Sequence, residues 1–410
     1  MIRPGLLHLA AVLGCAAAPR PAPTAPEPDY ARPLPPGSAA LRKIEDPARW
    51  PDLRAAFADR GPDLLAALDR AIPWFLAPST LQWFPLEGVS HEQAHASVVA
   101  ARRLLAESGT AEEFEREFRR LFDAYESVGW DGRGTVFFTG YFAPVFPASR
   151  VRTERFRYPV YRRPDDLVTD PKTGAPQGRK SPDGSIRPYP TRAEIQGSDL
   201  LAGLELAWLE DSLSAYLVHV NGSARLDLTD GSVLYIGYAG KTDRPYTSLG
   251  KSMVEEGILR SRDLNLSAIR REYARDPARV ERLMLRNESF VFFREADGTN
   301  WPAGSLGYPV TAERSLATDK KIFPRGGLVY VDTKSVRRGS ATRDYQRFMV
   351  DQDTGGAIRA PGRADIYMGT GGAAESLAGT QKAEGRLYYF FVKPEFVAEL
   401  LGLVPDQEGG

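Results

Sequence analysis

The sequence predicts a mainly β protein whose folded body begins with helices. Between residues 40 and 130, apolar residues recur at three- and four-residue spacing, which is typical of amphipathic helices. From Gly134 onward, most of the chain consists of short β-rich runs separated by Gly, Pro, Asp and Asn. Many short strands with few helices favour barrels or sandwiches over a βαβ sheet.

Length and charge set the first limits on function. The chain has 410 residues, which is enough for two or three folding units of ordinary size. Lys and Arg total 53, and so do Asp and Glu, so the formal net charge is zero. This balance excludes a protein that binds nucleic acid through strong overall positive charge.

Residues 1–15 have the order of a bacterial lipoprotein signal peptide. Arg3 supplies a positive start, an apolar run follows, and the letters VLGC end the segment at Cys15, the single cysteine. We expect lipidation at Cys15, and Ala16 in place of an Asp favours an outer-membrane lipoprotein that faces the periplasm. The alternative is cleavage at another small residue, which would discard Cys15. Residues 16–39 are a Pro/Ala-rich linker that is expected to stay extended.

Three stretches after the linker predict helices: DLLAALDRAIPWFL, HASVVAARRLLAE and TAEEFEREFRRLFDAYE. The β-rich runs that follow read TVFFTGYFAPVF, RYPVYRR, AYLVHV, SVLYIGYAG, SFVFFR, GLVYVDT and RLYYFFV. One helical segment interrupts them, reading SLGKSMVEEGIL and then NLSAIRREYARDPARVERLMLRN. His219 falls in a predicted strand, where we expect a structural role.

One pentapeptide, HEQAH, formally fits the zinc-protease motif HExxH. In that chemistry His91 and His95 bind zinc while Glu92 activates water. Ser90 and Gln93, however, have the spacing of a capping box, which would place the motif in the first turn of a helix. The spacing therefore favours an ordinary helix start without a metal, with a zinc metallopeptidase as the alternative.

The segment DTGGAIRAPGRADIYMG begins at Asp353 and places two carboxylates on either side of a Gly/Pro turn. Alternation along the strand after the turn puts Arg363, Asp365 and Tyr367 on one face. There, Tyr could stack on a sugar, Asp could move a proton, and the glycines would let a bulky chain approach. The residues alone leave two interpretations open: a polysaccharide cleft, or a solvent-facing hairpin with an Asp–Arg surface pair.

Several blocks together resemble the membrane-bound lytic murein transglycosylase A family. They occur in the family's order and read FTGYFAPVFPASR, YPVYRRPDDL, RAEI, YAGKTDRPYTSLGK, NESFVFFR, SLATDKKIFPRGG and DTGGAIRAPGRADIYMGTG. The last two blocks resemble the 3D domain, whose three aspartates match Asp319, Asp353 and Asp365.

The resemblance implies a double-psi β-barrel with a smaller β-barrel domain inserted into it, and a groove between the two that holds a glycan strand. We expect residues 40–145 and 287–405 to form the first domain together with the preceding helices. Residues 146–286 would form the insertion.

The resemblance also implies a reaction: cleavage of the β-1,4 bond between N-acetylmuramic acid and N-acetylglucosamine in peptidoglycan. The product is a 1,6-anhydro sugar, and no cofactor takes part. The catalytic acid matches Asp365, which would donate a proton and then take one back. Because free Asp has a pKa of about 3.9, this role requires burial or a nearby carboxylate, for which Asp353 is the candidate. Arg363 would act in the opposite sense, so we expect it to point towards another partner, such as Asp353 or the substrate. An Arg363 paired with Asp365, with Asp353 remote, would count against the acid role.

Motif matches extend the expected site. Tyr141, Tyr238, Lys241 and Tyr367 would contact the glycan, although barrel packing could equally explain Tyr141 and Tyr238, and a surface charge Lys241. Asp319 would organise a loop.

The family's Gln-Gly-Ser-Gly block, which lies on a strand, is replaced here by Asn221-Gly222-Ser223-Ala224. Asn is one methylene shorter than Gln. We therefore expect a hydrogen bond to a sugar N-acetyl group to be lost or bridged by water.

Two further alternatives remain at this point. A glycoside hydrolase would use Asp353 and Asp365 as a pair of carboxylates. A non-catalytic lipoprotein would bind peptidoglycan glycan strands without cutting them, since a barrel fold alone does not imply catalysis.

Overall fold

A computed structural model describes residues 28–335, 342–356 and 358–403. Cys15 and the predicted signal peptide lie outside the described residues. Within the described ranges, the helices are all too short or too polar to cross a membrane.

The helices confirm the predicted helical stretches before residue 122 and between the later strands. The α-helices of the described residues are α1 (Arg54–Ala58), α2 (Pro62–Ala71), α3 (His91–Glu107), α4 (Ala111–Leu121), α5 (Arg192–Gln196), α6 (Ser212–Asn221), α7 (Leu249–Glu255), α8 (Leu266–Arg275), α9 (Pro277–Met284), α10 (Gly371–Thr380) and α11 (Val397–Leu401).

The strands of the described residues are β1 (Leu41–Lys43), β2 (Phe122–Ser127), β3 (Val136–Ala143), β4 (Val145–Ser149), β5 (Tyr158–Tyr161), β6 (Leu167–Thr169), β7 (Pro176–Lys180), β8 (Ile186–Arg187), β9 (Glu205–Leu209), β10 (Ala224–Leu228), β11 (Val233–Lys241), β12 (Val291–Glu295), β13 (Ser315–Ala317), β14 (Leu328–Ser335), β15 (Arg343–Asp353), β16 (Arg363–Thr370) and β17 (Lys382–Val392).

The first sheet has eight strands in the order β1-β2-β17-β14-β15-β13-β16-β3, and β17 also pairs with β3. This extra pairing closes six of the strands on themselves. The early helices cover one side of this sheet, where the rings of Phe114, Phe118 and Phe348 pack together at the centre of the largest core. Burial of such large aromatic side chains is the main stabilising contribution expected here.

The second sheet has the order β12-β11-β10-β4-β9-β5 and its own apolar core. A parallel bridge between Arg162 and Phe293 joins the end of β5 to β12, so the two edge strands of this sheet meet. A small third sheet contains β6, β7 and β8. The predicted insertion ends at residue 286, whereas β12 lies beyond that boundary and pairs with β11.

Two predicted elements are wrong. The run AYLVHV is part of helix α6 rather than a strand, and His219 therefore lies on a helix. A short apolar run does not distinguish a buried helix from a strand. Here the residues at the two ends of the segment identify it as a helix. Asp211 accepts a hydrogen bond from the Ser214 N–H at 2.7 Å, and Gly222 ends the helix with φ 74°. The helix predicted through DAYE ends at Leu121, where β2 begins.

The described end of the predicted linker contacts the folded body. The Tyr30 ring stacks on Phe137 with the centroids 4.4 Å apart, and its hydroxyl donates to Glu384 at 2.8 Å. The linker prediction therefore does not hold for this part of residues 16–39, because an aromatic side chain can still find an apolar surface.

Candidate active site

Strand β16 carries the residues that the sequence places at the centre of the site. Ala364 and Ile366 are fully buried in the first core, which confirms the predicted alternation. Asp365 points to the opposite side and keeps 15% of its side-chain surface exposed. The carboxyl is thus largely shielded from water but still reachable.

The environment of Asp365 comes from strand pairing. Parallel pairing of β16 with β3 sets Asp365 opposite Thr139, whose hydroxyl donates to Asp365 Oδ1. Arg363 Nε lies 3.8 Å from the same oxygen, and Arg363 Nη2 donates to Thr139 Oγ1 at 3.4 Å. The prediction that Arg363 points away from Asp365 is therefore wrong. Residues two apart on a strand share a face, so the alternation itself brings these side chains together.

The protonation of Asp365 follows from this environment. Burial raises the pKa of the Asp365 carboxyl, and it outweighs the opposite effects of the Arg363 charge and the Thr139 hydrogen bond. Burial, and not the predicted Asp353 carboxylate, thus favours the protonated form that a general acid needs.

Asp353 and Asp365 lie on the two strands that flank β13, and both stand opposite Ala317. Two strand spacings separate the backbones of the two aspartates, which is about 10 Å. The two carboxyls also have different hydrogen-bond partners, because Asp365 accepts from Thr139 whereas Asp353 accepts from Tyr141, Ser305 and Thr354.

Asp353 is held by three hydrogen-bond donors. Its Oδ2 accepts from the Tyr141 hydroxyl at 2.7 Å. Its Oδ1 accepts from the backbone N–H groups of Ser305 at 2.9 Å and Thr354 at 2.8 Å. Burial raises the pKa of Asp353, and these donors lower it. The Asp353 carboxylate therefore connects β3, which carries Tyr141, to the loops that contain Ser305 and Thr354.

Asp319 also joins two loops. Its carboxylate accepts from the backbone N–H groups of Lys321 at 3.1 Å and Ala360 at 3.0 Å. Ala360 has φ 66°, a conformation that an alanine rarely adopts, so this hydrogen bond helps to fix the turn before β16.

A buried ion pair supports the same region and was not predicted. Lys320 Nζ pairs with Asp351, and the two side chains are 5% and 0% exposed. Asp351 Oδ2 also accepts from Thr318 Oγ1 at 2.8 Å and from the Tyr389 hydroxyl at 2.6 Å. Thr318 then donates its N–H to the Asp353 carbonyl. Only the pairing of distant strands brings these groups together, so the sequence carries no local signal for them.

The second sheet approaches the site through β11. Tyr238 keeps 47% of its surface exposed, so its ring is available for stacking. Burial, together with the nearby Arg359 charge, lowers the pKa of Lys241. Arg359 belongs to the loop before β16. Trp301 donates to the Ile236 carbonyl at 3.3 Å and so connects the two sheets at this point.

Three predicted contact residues, Asn221, Gly222 and Ser223, lie where helix α6 ends rather than on a strand. Asn221 Nδ2 donates to the Leu217 carbonyl at 2.8 Å, so its amide caps the helix. A Cβ at Gly222 would lie 4.0 Å from Tyr238 Cβ, which places this turn beside the exposed tyrosine.

Tyr367 does not present a ring to solvent, because it is 2% exposed and packs in a small cluster with Ala143 and Val310. The prediction that Tyr367 stacks on a sugar is therefore wrong. The half-buried Tyr141 ring lies 5.2 Å from the Tyr367 ring and partly covers it.

Tyr246 was missed by the sequence reasoning, although it lies within the quoted block YAGKTDRPYTSLGK. It is 37% exposed. Burial raises the pKa of its phenol, the Arg363 charge lowers it, and the Asp365 charge raises it slightly. The charges of Arg363 and Asp365 thus act on Tyr246, which lies in the loop between β11 and α7.

The HEQAH motif is an ordinary helix start. Ser90 accepts from the Gln93 N–H at 3.0 Å, while the Gln93 side chain donates to Val392 instead of closing the capping box. His91 lies 2.9 Å from Thr80 Oγ1, and the His95 ring stacks on an aromatic neighbour. Among the residues described, no group of three or more His, Cys, Asp or Glu side chains is arranged to hold a metal ion.

Comparison with known proteins decides the family. The sequence matches the MltA specific insert domain over residues 137–294 and the 3D domain over residues 314–391. The membrane-bound lytic murein transglycosylase A of Escherichia coli K12 is 33% identical over 276 residues, covering 66% of this chain and 70% of that protein. This chain belongs to the membrane-bound lytic murein transglycosylase A family. The Vibrio cholerae member is 34% identical over 265 residues, covering 63% of this chain and 66% of that protein.

Solved structures of lytic murein transglycosylases share the sheet-rich fold. The Agrobacterium tumefaciens enzyme superposes with a TM-score of 0.71 and 26% identity, covering 88% of this chain and 99% of that chain. Escherichia coli MltA with bound chitohexaose gives a TM-score of 0.65 and 25% identity, covering 90% of this chain and 97% of that chain. The family resemblance and the mainly β fold predicted from the sequence are thus confirmed.

Proposed function

We propose that this member of the lytic transglycosylase A family cleaves the β-1,4 bond between N-acetylmuramic acid and N-acetylglucosamine in peptidoglycan, with Asp365 as the single acid and base. The observation that carries the proposal is the Asp365 carboxyl itself. It is largely shielded but reachable, and burial raises its pKa. A carboxyl that holds its proton near the working pH is suited to general acid catalysis.

The reaction needs only one carboxyl. Protonated Asp365 donates to the glycosidic oxygen while the bond from that oxygen to the anomeric carbon breaks. The C6 hydroxyl of the same muramic acid then bonds to the anomeric carbon and gives its proton to the Asp365 carboxylate. The product is a 1,6-anhydro ring, and the acid is restored without water.

Asp353 and Asp319 act as supporting residues in this proposal. Three donors occupy the Asp353 carboxylate, which favours a positioning role over that of a second catalytic group. Asp319 fixes the turn that leads into β16 through its hydrogen bond from Ala360.

The glycan strand would run between the two sheets. Tyr238, Lys241 and Tyr246 would contact it from the β11 side, and Tyr141 from the β3 side. We also propose that the first sheet is a double-psi β-barrel and that the second sheet forms the inserted domain. The pairing of β12 with β11 supports an insertion that ends after Glu295.

An outer-membrane location is part of the same proposal. The lipoprotein motif at Cys15 supports a lipid anchor. The relatives named membrane-bound lytic murein transglycosylase A are consistent with an enzyme held at the cell envelope. Peptidoglycan is the partner that such an anchor would keep within reach.

The reaction product tests the function directly. Purified protein incubated with sacculi is expected to release muropeptides that end in 1,6-anhydromuramic acid, as measured by mass spectrometry. Muropeptides with a reducing muramic acid end would indicate hydrolysis instead. Binding to sacculi without any release would support the non-catalytic lipoprotein.

Replacing Arg363 with Gln is expected to move the alkaline limb of the pH–rate profile upward by about one pH unit. The acid works only while protonated, so activity is lost as the pH rises through the pKa of Asp365. Removing the Arg363 charge removes an influence that lowers this pKa. The measurement is kcat/KM against pH, which reports groups of the free enzyme.

The matched control is Arg359→Gln, which removes the same charge from the neighbouring loop. Arg359 does not contact Asp365, so its profile should keep the wild-type limb. Equal shifts in both variants would mean that overall charge, and not the 3.8 Å approach of Arg363 to Asp365, sets the profile.

A further inference from the structure

A cavity of about 440 Å³ lies where β5 and β12 meet in the second sheet. Its charged lining consists of Arg162, Arg163, Arg294 and Glu295, and Leu206 and Phe293 contribute apolar surface. None of these residues takes part in the proposed reaction at Asp365.

The arginines of this cavity are held mainly by neutral groups. Arg163 donates to the carbonyls of Ala239 and Leu167, both at 2.9 Å, and Arg162 donates to the Gly203 carbonyl at 2.8 Å. These hydrogen bonds fix the guanidinium groups without neutralising them.

Glu295 is the one acidic residue among the lining residues, and it already has a partner. Its carboxylate accepts from Arg150 at 2.6 Å. The Arg150 hydrogen bond is the main cause that lowers the pKa of Glu295, and Arg162 adds a smaller effect. The lining thus contains three arginines and one carboxylate, and a fourth arginine, Arg150, already binds that carboxylate. The cavity therefore has excess positive charge.

The cavity adjoins the proposed path of the glycan. Ala239 lines it and directly follows Tyr238, the exposed tyrosine of β11. A Cβ at Gly240 would lie 2.8 Å from Arg163 Nη1, so the guanidinium packs against the backbone of the same block. Arg294 is exposed and paired in register with Gly237, on the same stretch of β11.

We propose that this cavity binds a carboxylate of the peptide stems that muramic acid residues carry. The inference rests on the proposed function, because it assumes that the glycan strand passes Tyr238. The sugars of the strand carry no charge when each lactyl group is joined to a peptide by an amide bond. The stem peptides do carry carboxylates, and guanidinium groups bind carboxylates through paired hydrogen bonds. The cavity therefore distinguishes strands whose stem peptides carry free carboxylates from strands whose stem carboxylates are blocked.

The test compares two substrates with one variant. Wild type and the double variant Arg162→Gln/Arg294→Gln are assayed on glycan strands whose stem peptides keep their free carboxylates and on the same strands after those carboxylates have been converted to methylamides. On strands with free stem carboxylates, kcat/KM of the variant is expected to fall about tenfold, mainly through KM. On strands with amidated stem carboxylates it should equal that of wild type. Arg163 is left in place because its hydrogen bonds hold the β5–β11 region together.

Arg225→Gln is the matched control, since it removes an exposed, Asp227-paired arginine from β10 of the same sheet. It should not change the preference between the two substrates. The proposal is overturned if the double variant loses activity equally on both substrates, or loses none on either. If wild type releases no anhydromuropeptides from either substrate, the proposed function itself fails.

Discussion

Replacement of Asp365 with Asn is expected to reduce kcat by about 10⁴-fold, the upper end of what one acid–base group contributes. The same carboxyl donates a proton to the glycosidic oxygen and later accepts the proton of the C6 hydroxyl. Both proton transfers are therefore lost in the variant. The amide has nearly the same shape and can still accept the Thr139 hydrogen bond through its oxygen. The fold and glycan binding should therefore survive. Release of anhydromuropeptides measures the first effect, and sacculus pull-down measures the second.

Asp353→Asn provides the matched control, because it makes the same chemical change on the other side of β13. The amide oxygen can still accept hydrogen bonds, so we expect this variant to lose far less activity than Asp365→Asn. Equal losses in the two variants would contradict a single catalytic carboxyl and favour a pair of acids. Substantial activity in Asp365→Asn would remove Asp365 from the mechanism altogether.

Replacement of Lys320 with Met is expected to lower the free energy of unfolding by about 3–5 kcal/mol. Asp351 would then remain in the interior without its positive partner, since the two side chains are 0% and 5% exposed. Thr318 and Tyr389 still donate to Asp351, but neutral donors do not replace a charge. Chemical denaturation monitored by tryptophan fluorescence measures the loss.

Lys334→Met is the control for this experiment. Lys334 pairs with Asp344 on adjacent strands of the same sheet, but these side chains are 58% and 69% exposed. Water screens such a pair, so we expect a change of less than about 1 kcal/mol. Similar losses at Lys320 and Lys334 would show that burial of the Lys320–Asp351 pair does not set its contribution.

The sequence alone established the elements with a strong local signal. The early helices followed from apolar spacing, and the capping residue Ser90 marked the start of the helix that contains HEQAH. Alternation along β16 placed the Asp365 side chain on one face of the strand and the buried Ala364 and Ile366 side chains on the other face. Family resemblance then supplied the activity, because several ordered blocks are far more specific than one motif. The run AYLVHV failed because a short buried apolar run has no period that separates helix from strand.

Only the tertiary structure decided how distant residues meet. The sequence left burial and a nearby Asp353 carboxylate open as causes of a raised Asp365 pKa, and the structure shows that burial is the cause. The register of β16 with β3 supplies Thr139, and the loop between β11 and α7 supplies Tyr246. The physical reason is that desolvation and charge act through space. A strand pattern gives the face on which a side chain lies, but the pairing of remote strands decides how much water and which charges surround it.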